Sequence, residues 1–333
     1  MTVGVSIIIC THNGKNRLPI VFDYINNLEI PVQFNWEVLI VDNASTDGTT
    51  DWIYNINLSQ KYNFIVFCIE EKKPGLNFAR IAGAKHANYD WLLFCDDDNL
   101  LDFNYFNYFH DCLSNEPNLG ALGGKGIALT EDPTPSWFND YAHSFAVGPQ
   151  LGYTGFISKG AALYGAGLFV LKTPILQILD KGYIMIMSDR ESGKLTSGGD
   201  LEWCYLLHLS GLNLYYDDRL IFHHKLDAIR LTWDYYKRLK AGIASGVGLL
   251  EPYHFIFKNN SDNAFSFLIY YIINLLKSLL VLTFVSLKTK LYLNYKSELG
   301  LIILKSKAFS YCVNLRRAYM HYKQIKKTFG AIV

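Results

Sequence analysis

Residues Trp91–Asn99 read W-L-L-F-C-D-D-D-N, a short apolar run that delivers three consecutive carboxylates, Asp96, Asp97 and Asp98, to one place. An apolar run of this length reads as a buried strand, and its acids fall at the carboxyl end, the edge at which open α/β sheets bind ligands. Three adjacent carboxylates repel one another, and an oxygen-only cluster suits a hard divalent ion, Mg2+ or Mn2+, that also grips a diphosphate. A solvated acidic turn is the plainer reading of the same residues. A second chemical signal is the aromatic pair Trp137-Phe138, set in a Gly- and Pro-rich stretch from Gly120 to Tyr153. A structureless segment of that length implies a binding loop. The two rings suit stacking on a flat apolar surface, or packing beneath the loop.

The elements that must position these groups are legible as alternation. Val5–Cys10, Trp36–Asp42, Phe64–Glu70 and Trp91–Asp96 are short apolar or alternating runs, separated by helical spacing at Leu18–Leu28 and Asn77–Ala87. Strands alternating with helices predict a parallel, doubly wound sheet. Each run ends in polar residues, Thr11-His12-Asn13, Asp42-Asn43, Glu70-Glu71 and Asp96–Asn99, which sets several polar turns along one sheet edge. Farther on, Leu163–Leu171 reads as a strand interrupted by Gly165-Ala166-Gly167. Leu201–Ser210 reads as a helix capped by Asp200 and stopped by Gly211, and Leu214–Tyr216 with Leu220–His224 as a closing strand pair. Neither G-x-G-x-x-G nor G-x-x-x-x-G-K-[ST] occurs, which removes support from a dinucleotide-binding fold and from a P-loop NTPase.

With 333 residues, half of them apolar, the chain can build one large core, or a domain of about 250 residues with an appendage. Its net charge of +1 hides an asymmetry: Lys288–Val333 holds ten Lys/Arg against Glu298 alone, a balance of +9, which leaves −8 for the first 287 positions. A basic tail implies an anionic partner, a membrane leaflet or nucleic acid. Ala264–Leu287 is 24 residues with one charge, long enough to span a bilayer. Lys277 near its middle carries an insertion cost of about 2.5–3.5 kcal/mol, however, and Ser266, Tyr270, Asn274, Lys277 and Ser278 share one helical face. A helix lying in the membrane interface is therefore expected ahead of a span or of a helix packed on the domain. The six cysteines (10, 68, 95, 112, 204, 312) lack C-x-x-C spacing and read as buried thiols of a reducing compartment. The N-terminus runs directly into a strand, so no secretory signal is expected and the catalytic part is placed in the cytosol.

Taken together, Ser6–Asn13, Val41–Thr49 (V-D-N-A-S-T-D-G-T), Pro74–Gly83 (P-G-L-N-F-A-R-I-A-G), Phe94–Asn99 (F-C-D-D-D-N) and Gly198–Leu206 (G-G-D-L-E-W-C-Y-L) form an ordered set of motifs. The set resembles the family-two inverting glycosyltransferases with the nucleotide-diphospho-sugar transferase (GT-A) fold, over about residues 3 to 225. The resemblance implies an α/β fold, with a Rossmann-like, mostly parallel central sheet flanked by helices, as the catalytic domain over residues 1–250. A basic, hydrophobic, helical membrane-associating extension follows over 251–333.

The resemblance also implies roles. Asp42 is placed to recognise the nucleotide base or ribose, with helix capping beside Ser45, Thr46 and Asp47 as its plainer role. Thr11 and Asn13 would line the base pocket or simply end the first strand, and Arg80 would approach the base or diphosphate. The D-x-D pair falls on Asp96, which contacts ribose or a metal-bound water, and Asp98, the direct metal ligand; Asp97 is a supporting acid. Asp200 falls on the general base that takes the acceptor hydroxyl's proton. Gly199 stands where the family has a glutamate, and Glu202 is the acid that compensates on the acceptor side. His224, after the last strand, completes the metal site or touches the diphosphate. Trp137 and Phe138 would stack on the apolar face of a sugar acceptor or pack beneath the loop, and Arg230, Lys237 and Arg238 contact phosphate or form a solvated helix face.

The expected function is metal-dependent inverting transfer of a sugar from a nucleoside-diphosphate donor, UDP- or dTDP-sugar favoured, to a saccharide acceptor in surface polysaccharide or glycan assembly. The divalent cation is Mn2+ or Mg2+. A lipid-linked acceptor follows from the C-terminal segment, as does peripheral attachment to the cytoplasmic face of the inner membrane through an anionic surface; no nucleic acid is expected. The alternatives are a catalytically inactive membrane-bound carbohydrate-binding protein and a sugar nucleotidyltransferase.

Overall fold

The computed structural model describes residues 3–116, 118–189, 195–258, 263–291 and 295–330. Strands β1 (Val3–Thr11), β2 (Phe34–Asp42), β3 (Val66–Glu70) and β4 (Trp91–Asp96) lie in the parallel order β3-β2-β1-β4, with helices α1 (Leu18–Asn26), α2 (Thr49–Ser59) and α3 (Leu76–His86) as crossovers. Successive side chains of a strand point to opposite faces. Val5, Ile7 and Ile9 of β1 therefore enter one core cluster, with Val38, Ile40 and Leu93, while Ile8 and Cys10 enter the other, with Leu92 and Phe94. Burial on both faces explains why these strands are almost continuously apolar. The register pairs Thr11 with Asp42 and Cys10 with Asp96, so the polar ends of β1, β2 and β4 form one row at the carboxyl edge.

Beyond β4 the sheet turns mixed. Strand β8 (Leu168–Leu171) is antiparallel to both β4 and β6 (Leu119–Leu129), and β6 runs parallel to β9 (Asn213–Lys225). The short β5 (Asn99–Leu101) and β7 (Gly155–Phe156) then pair antiparallel to β9. Pairing of Asn99 with His224 brings the end of the acid run beside that histidine.

Three expectations change here. Gly120–Leu129 is a largely buried strand, not the start of a loop; the loop begins after Leu129. Its glycines permit close backbone packing, since a Cβ on Gly124 would lie 1.8 Å from the Leu220 carbonyl oxygen and one on Gly126 would lie 1.9 Å from that of Ala146. The closing strand pair is a single strand. Its polar middle is an irregularity in the β6 register between Gly123 and Lys125, with Asp217 buried against Arg219 at 2.8 Å. The strand expected over Leu163–Leu171 is confined to Leu168–Leu171, and Gly165–Gly167 stays outside it.

Helices α4 (Tyr105–Asn115), α5 (Phe138–Tyr141), α6 (Lys172–Asp180) and α7 (Gly199–Leu209) complete the sheet-bearing part. They are followed by α8 (Trp233–Ser245), α9 (Val247–Lys258), α10 (Ala264–Leu291) and α11 (Tyr295–Phe329). The last three are not a detached tail: Tyr253, Phe255, Phe267, Tyr271, Tyr311 and Tyr322 share one core cluster with Trp203 and Leu206 of α7. Phe267 stacks on Tyr322 with ring centroids 4.7 Å apart. Helix α10 spans about 42 Å and packs this face inward. Its opposite face exposes Phe265, Ile269, Ile272, Leu276, Leu280, Phe284 and Leu287, an apolar stripe at helical spacing. Ala264–Lys288 is the one helical segment, among the described residues, long and apolar enough to cross a membrane.

Candidate active site

Each carboxylate of the acid run meets a different arginine. Asp96 Oδ1 lies 3.3 Å from Arg80 Nη2 on α3, and Asp97 Oδ2 lies 2.7 Å from Arg17 Nη2 in the turn before α1. Asp98 Oδ2 lies 2.6 Å from Arg230 Nη1, on the short helical turn Ala228–Leu231. The repulsion implied by the sequence is thus relieved by three cations drawn from three elements. Arg80 is buried over the Phe94 ring, 5.1 Å from its centroid. Burial works against its charge, but Asp96 and Asp200 outweigh that and raise its pKa. Burial pushes the Asp97 carboxyl up, aided by the charge of Asp98 and opposed by Arg17 and the Thr11 hydroxyl, which donates to it.

These acids form one wall of a cleft of about 500 Å³, lined also by Cys10, Thr11, His12, Arg17, Asn43 and the Pro74–Ala79 turn. Thr11 lines the cleft as expected, but Asn13 and Asp42 do not. Asn13, with φ +54°, staples two loops: its N–H donates to Ser45 Oγ at 2.8 Å and its Oδ1 accepts the Thr46 N–H at 2.8 Å. Asp42 is buried, and its carboxylate accepts the Ser45 N–H at 3.0 Å and the Thr50 hydroxyl. Its oxygens are engaged in shaping the turn, the plainer of its two roles. The cleft is reached by its neighbour Asn43, which orders the Pro74 turn by donating to the Lys73 carbonyl at 2.8 Å and accepting the Gly75 N–H at 2.8 Å. The Cys10 thiol in the same wall is pushed up to about 12, chiefly by burial, so it is no nucleophile.

Asp200 sits in the first turn of α7, where Oδ1 accepts the Leu201 N–H at 3.0 Å and Oδ2 accepts the Gly165 N–H at 3.2 Å. Gly165 lies between Asp200 and Arg80: a Cβ there would fall 2.7 Å from Arg80 Nη2 and 3.0 Å from Asp200 Cβ. The interrupted segment therefore marks a close approach of backbone to the site. Burial raises the Asp200 pKa, against the pull of Arg80 and of the two N–H donors. A carboxylate raised in this way is a better proton acceptor.

The glycine at 199 has a spatial reason. Asp189 Oδ2 accepts the Gly199 N–H at 2.7 Å, and a Cβ on Gly199 would lie 2.3 Å from that oxygen. An acid from the preceding segment fills the space that a side chain at 199 would take. Glu202 is fully buried behind the site and does not face the cleft. Its Oε1 accepts the Ile186 N–H at 2.9 Å and the Tyr253 hydroxyl at 2.7 Å, and Oε2 accepts the Met187 N–H at 2.9 Å. It ties segment 183–189 to α7 and α9. The Met187 carbonyl in turn accepts from Asn77 Nδ2 at 2.7 Å, joining that segment to the start of α3.

His224 is buried, with Nδ1 2.6 Å from the Phe145 carbonyl oxygen and Nε2 3.4 Å from Asp98 Oδ2. The carbonyl can only accept, so Nδ1 donates to it and Nε2 faces the Asp98 carboxylate. Asp98 Oδ2 is also held by Arg230 Nη1 at 2.6 Å, so a cation bound there would share Asp98 with Arg230. Among the described residues no three His, Cys, Asp or Glu side chains group around a metal position. Asp98 and His224 are residues that would contribute an oxygen and a nitrogen ligand to a divalent ion. The Asp98–His224 grouping and Arg80–Asp96–Asp200 are thus brought together as expected, while Arg17, His12, Asn43 and Asp189 are additions.

Of the acceptor candidates, Phe138 is buried in a cluster with Phe145, Leu231 and Tyr236 and is not available for stacking. Trp137 is half-buried, edge-on to Trp233 at 5.3 Å, and lines an open cavity of about 320 Å³ with Ser136, Asp140 and Trp233. Lys237 pairs at the surface with Asp234 and Glu298.

Residues 6–146 match the family model for glycosyl transferase family 2. Poly-β-1,6-N-acetyl-D-glucosamine synthase of Staphylococcus epidermidis is 24% identical over 122 residues, a match that spans 37% of this chain and only 28% of that synthase. Among solved structures, S. aureus TarS in complex with UDP-GlcNAc aligns at a TM-score of 0.49 with 15% identity, covering 77% of this chain and 72% of that one. The mannosyltransferase PcManGT from Pyrobaculum calidifontis, in complex with GDP-Man and Mn2+, aligns at a TM-score of 0.56 with 16% identity, covering 93% of this chain and 87% of that one. With a glycosyl transferase family 2 match over residues 6–146 and the fold of that mannosyltransferase along most of its length, this chain has the GT-A fold.

Proposed function

We propose that this chain is a glycosyltransferase that moves a sugar with inversion from a nucleoside-diphosphate donor, UDP- or dTDP-linked, to a saccharide acceptor in polysaccharide assembly. The observation that carries the reading is the placement of Asp200, raised by burial, beside Arg80 and Asp96 around Gly165. In the proposed reaction the donor diphosphate lies in the cleft along Asp96–Asp98, and Asp200 accepts the proton of the acceptor hydroxyl as that oxygen attacks the anomeric carbon. Arg80 and Arg230 hold positive charge where the leaving diphosphate gains negative charge. Asp98 and His224 would hold a divalent cation, Mn2+ or Mg2+, which supplies Lewis-acid stabilisation of that same charge. The aromatic cavity at Trp137 and Trp233 is the proposed acceptor platform.

Residues 1–250 carry the chemistry in this reading, and 251–333 attach it to the cytoplasmic face of a membrane. The exposed apolar stripe of α10 and the basic C-terminal segment support attachment and, with it, a lipid-linked acceptor. Asp200→Asn tests the base. Nucleotide affinity by calorimetry should stay within about twofold while transfer falls by about 100- to 10,000-fold. Transfer retained within tenfold would overturn the assignment.

A further inference from the structure

We propose that the groove between the Lys181–Ile186 segment and α11 seats the phosphate headgroup of an anionic phospholipid. The inference rests on the membrane-attached reading above and assigns it a specific site, separate from the apolar stripe of α10.

The groove encloses about 670 Å³ and has two chemically distinct kinds of lining. Lys181 on one wall and Arg317, Lys323 and Lys327 on the other bring four cations around it. Among the described residues, none of the four is ion-paired with a carboxylate; Lys323 instead lies over the Tyr319 ring at 4.6 Å. Interleaved with them are Ile184, 71% exposed, and Met320, 57% exposed. Met320 continues a face of α11 on which Phe309 and Val313 are also exposed.

Unpaired cations alone would suit any polyphosphate, nucleic acid included. Exposed aliphatic side chains between them favour a phosphate attached to an apolar chain, because each ligand part then finds its own kind of surface. The partner is thus a lipid surface and not a nucleic acid. The segment that forms one wall is the segment whose Ile186 and Met187 N–H groups are held by Glu202, and His321 on the other wall lies 3.2 Å from the Tyr183 hydroxyl. A headgroup seated here would contact the chain directly behind α7, which fixes how the site of Asp200 faces the bilayer.

The test uses the full chain and flotation with phosphatidylcholine vesicles, with and without phosphatidylglycerol, comparing wild type with Lys181→Ala/Lys323→Ala/Lys327→Ala. Each cation near an anionic surface is worth about fivefold in partitioning. The triple variant should therefore lose roughly 100-fold in affinity for the anionic vesicles, while its weaker binding to neutral vesicles and its nucleotide affinity stay unchanged. The single reversal Arg317→Glu should give a loss in the same direction. An unchanged preference for anionic vesicles in both variants would overturn the groove and leave membrane attachment standing. Absence of binding to either vesicle would overturn attachment itself, and nucleotide affinity would still report separately on the glycosyltransferase reading. Inorganic phosphate that raises the melting temperature of wild type but not of the triple variant, with vesicle binding equal in the two, would identify a free-phosphate site and refute the lipid assignment. Duplex DNA binding that falls in the triple variant while vesicle binding does not would refute it in favour of nucleic acid.

Discussion

Replacing Glu202 with glutamine keeps the outline of the side chain and removes its charge, and the surroundings of Glu202 give the sign and size of the result. Burial pushes this carboxyl up from 4.5 to about 7, although two backbone N–H groups and the Tyr253 hydroxyl favour the ionised form. Its folded pKa lies above its unfolded value, so the folded protein binds the proton more tightly. Below about pH 4.5 both states are protonated and the stability is fully present; it is lost as pH rises through about 7. At 1.36 kcal/mol per pH unit the loss is about 3 kcal/mol.

The side chain introduced by Glu202→Gln would not titrate. Its amide can accept only one of the two backbone N–H groups and must turn an NH2 toward the other, which costs about 1–3 kcal/mol at every pH. The variant should therefore be the less stable protein near pH 5 and recover about 3 kcal/mol relative to wild type by about pH 8. His321 lies 3.5 Å from Glu202, and burial, reinforced by Arg317, lowers its pKa to about 3. Its contribution is present above about pH 6.5 and is lost as pH falls toward 3. That loss occurs in both proteins and largely cancels in their difference. Urea unfolding of the pair across this range is the measurement. A difference that is flat in pH would mean that the three donors keep Glu202 ionised throughout and that burial does not govern it.

Asp98→Ala should lower nucleotide affinity measured with Mn2+ to the level wild type shows in EDTA, and the variant's own affinity should no longer respond to EDTA. A calorimetric titration in which the variant retains an EDTA-sensitive component would count against Asp98 as a ligand. Gly126→Ala places a Cβ 1.9 Å from the Ala146 carbonyl oxygen, and accommodating it should cost roughly 1–3 kcal/mol in thermal or urea unfolding. Because Phe145, next in the chain, holds His224, the same variant should weaken the Mn2+ response of nucleotide binding. An unchanged melting temperature would show that the two backbones are not packed as closely as described.

Much of the N-terminal half was legible because its signals are local. Short apolar runs ending in polar residues located β1, β2 and β4, and farther along a Gly-Gly-Asp sequence before an apolar run placed the start of α7 within two residues of Gly199. What the sequence hid depends on pairing across long separations. Arg17 reaches Asp97 from 80 positions away with nothing in its local sequence to distinguish it from a surface arginine, and the basic segment that drew notice to Arg230 gave no hint that it pairs with Asp98, 132 positions away. Gly-rich β6 looked like a loop because glycine disfavours strands in isolation; only the carbonyls of Leu220 and Ala146 show why small residues are needed. Glu202 had a readable signal that composition alone obscured. It lies in L-E-W-C-Y-L-L-H-L, apolar nearly all round, and a helix of that kind is buried on every face. An acid inside it must bond inward, not meet an acceptor sugar.

The paired acids and arginines also bear on how the cleft can take its donor. Asp96, Asp97 and Asp98 with Arg80, Arg17 and Arg230 form a set with no net charge, held in a half-buried row. A nucleoside-diphosphate sugar brings about two negative charges, one per phosphate. Entering alone, it would face three carboxylates whose compensating arginines are already engaged, and a divalent cation entering alone would meet three guanidinium groups. The two together add no net charge. In the proposed reaction, donor and cation would therefore favour each other's binding, and reciprocity requires the effect to be equal in both directions. The arginines are not equally free to respond: Arg80 and Arg230 are mostly buried, with 4% and 15% of their side chains exposed, whereas Arg17 is 39% exposed at the mouth of the cleft. Arg17 is the guanidinium with room to move from Asp97 to an arriving phosphate. Arg80 and Arg230 are the fixed positive charges against which the donor diphosphate of the proposed reaction would be aligned.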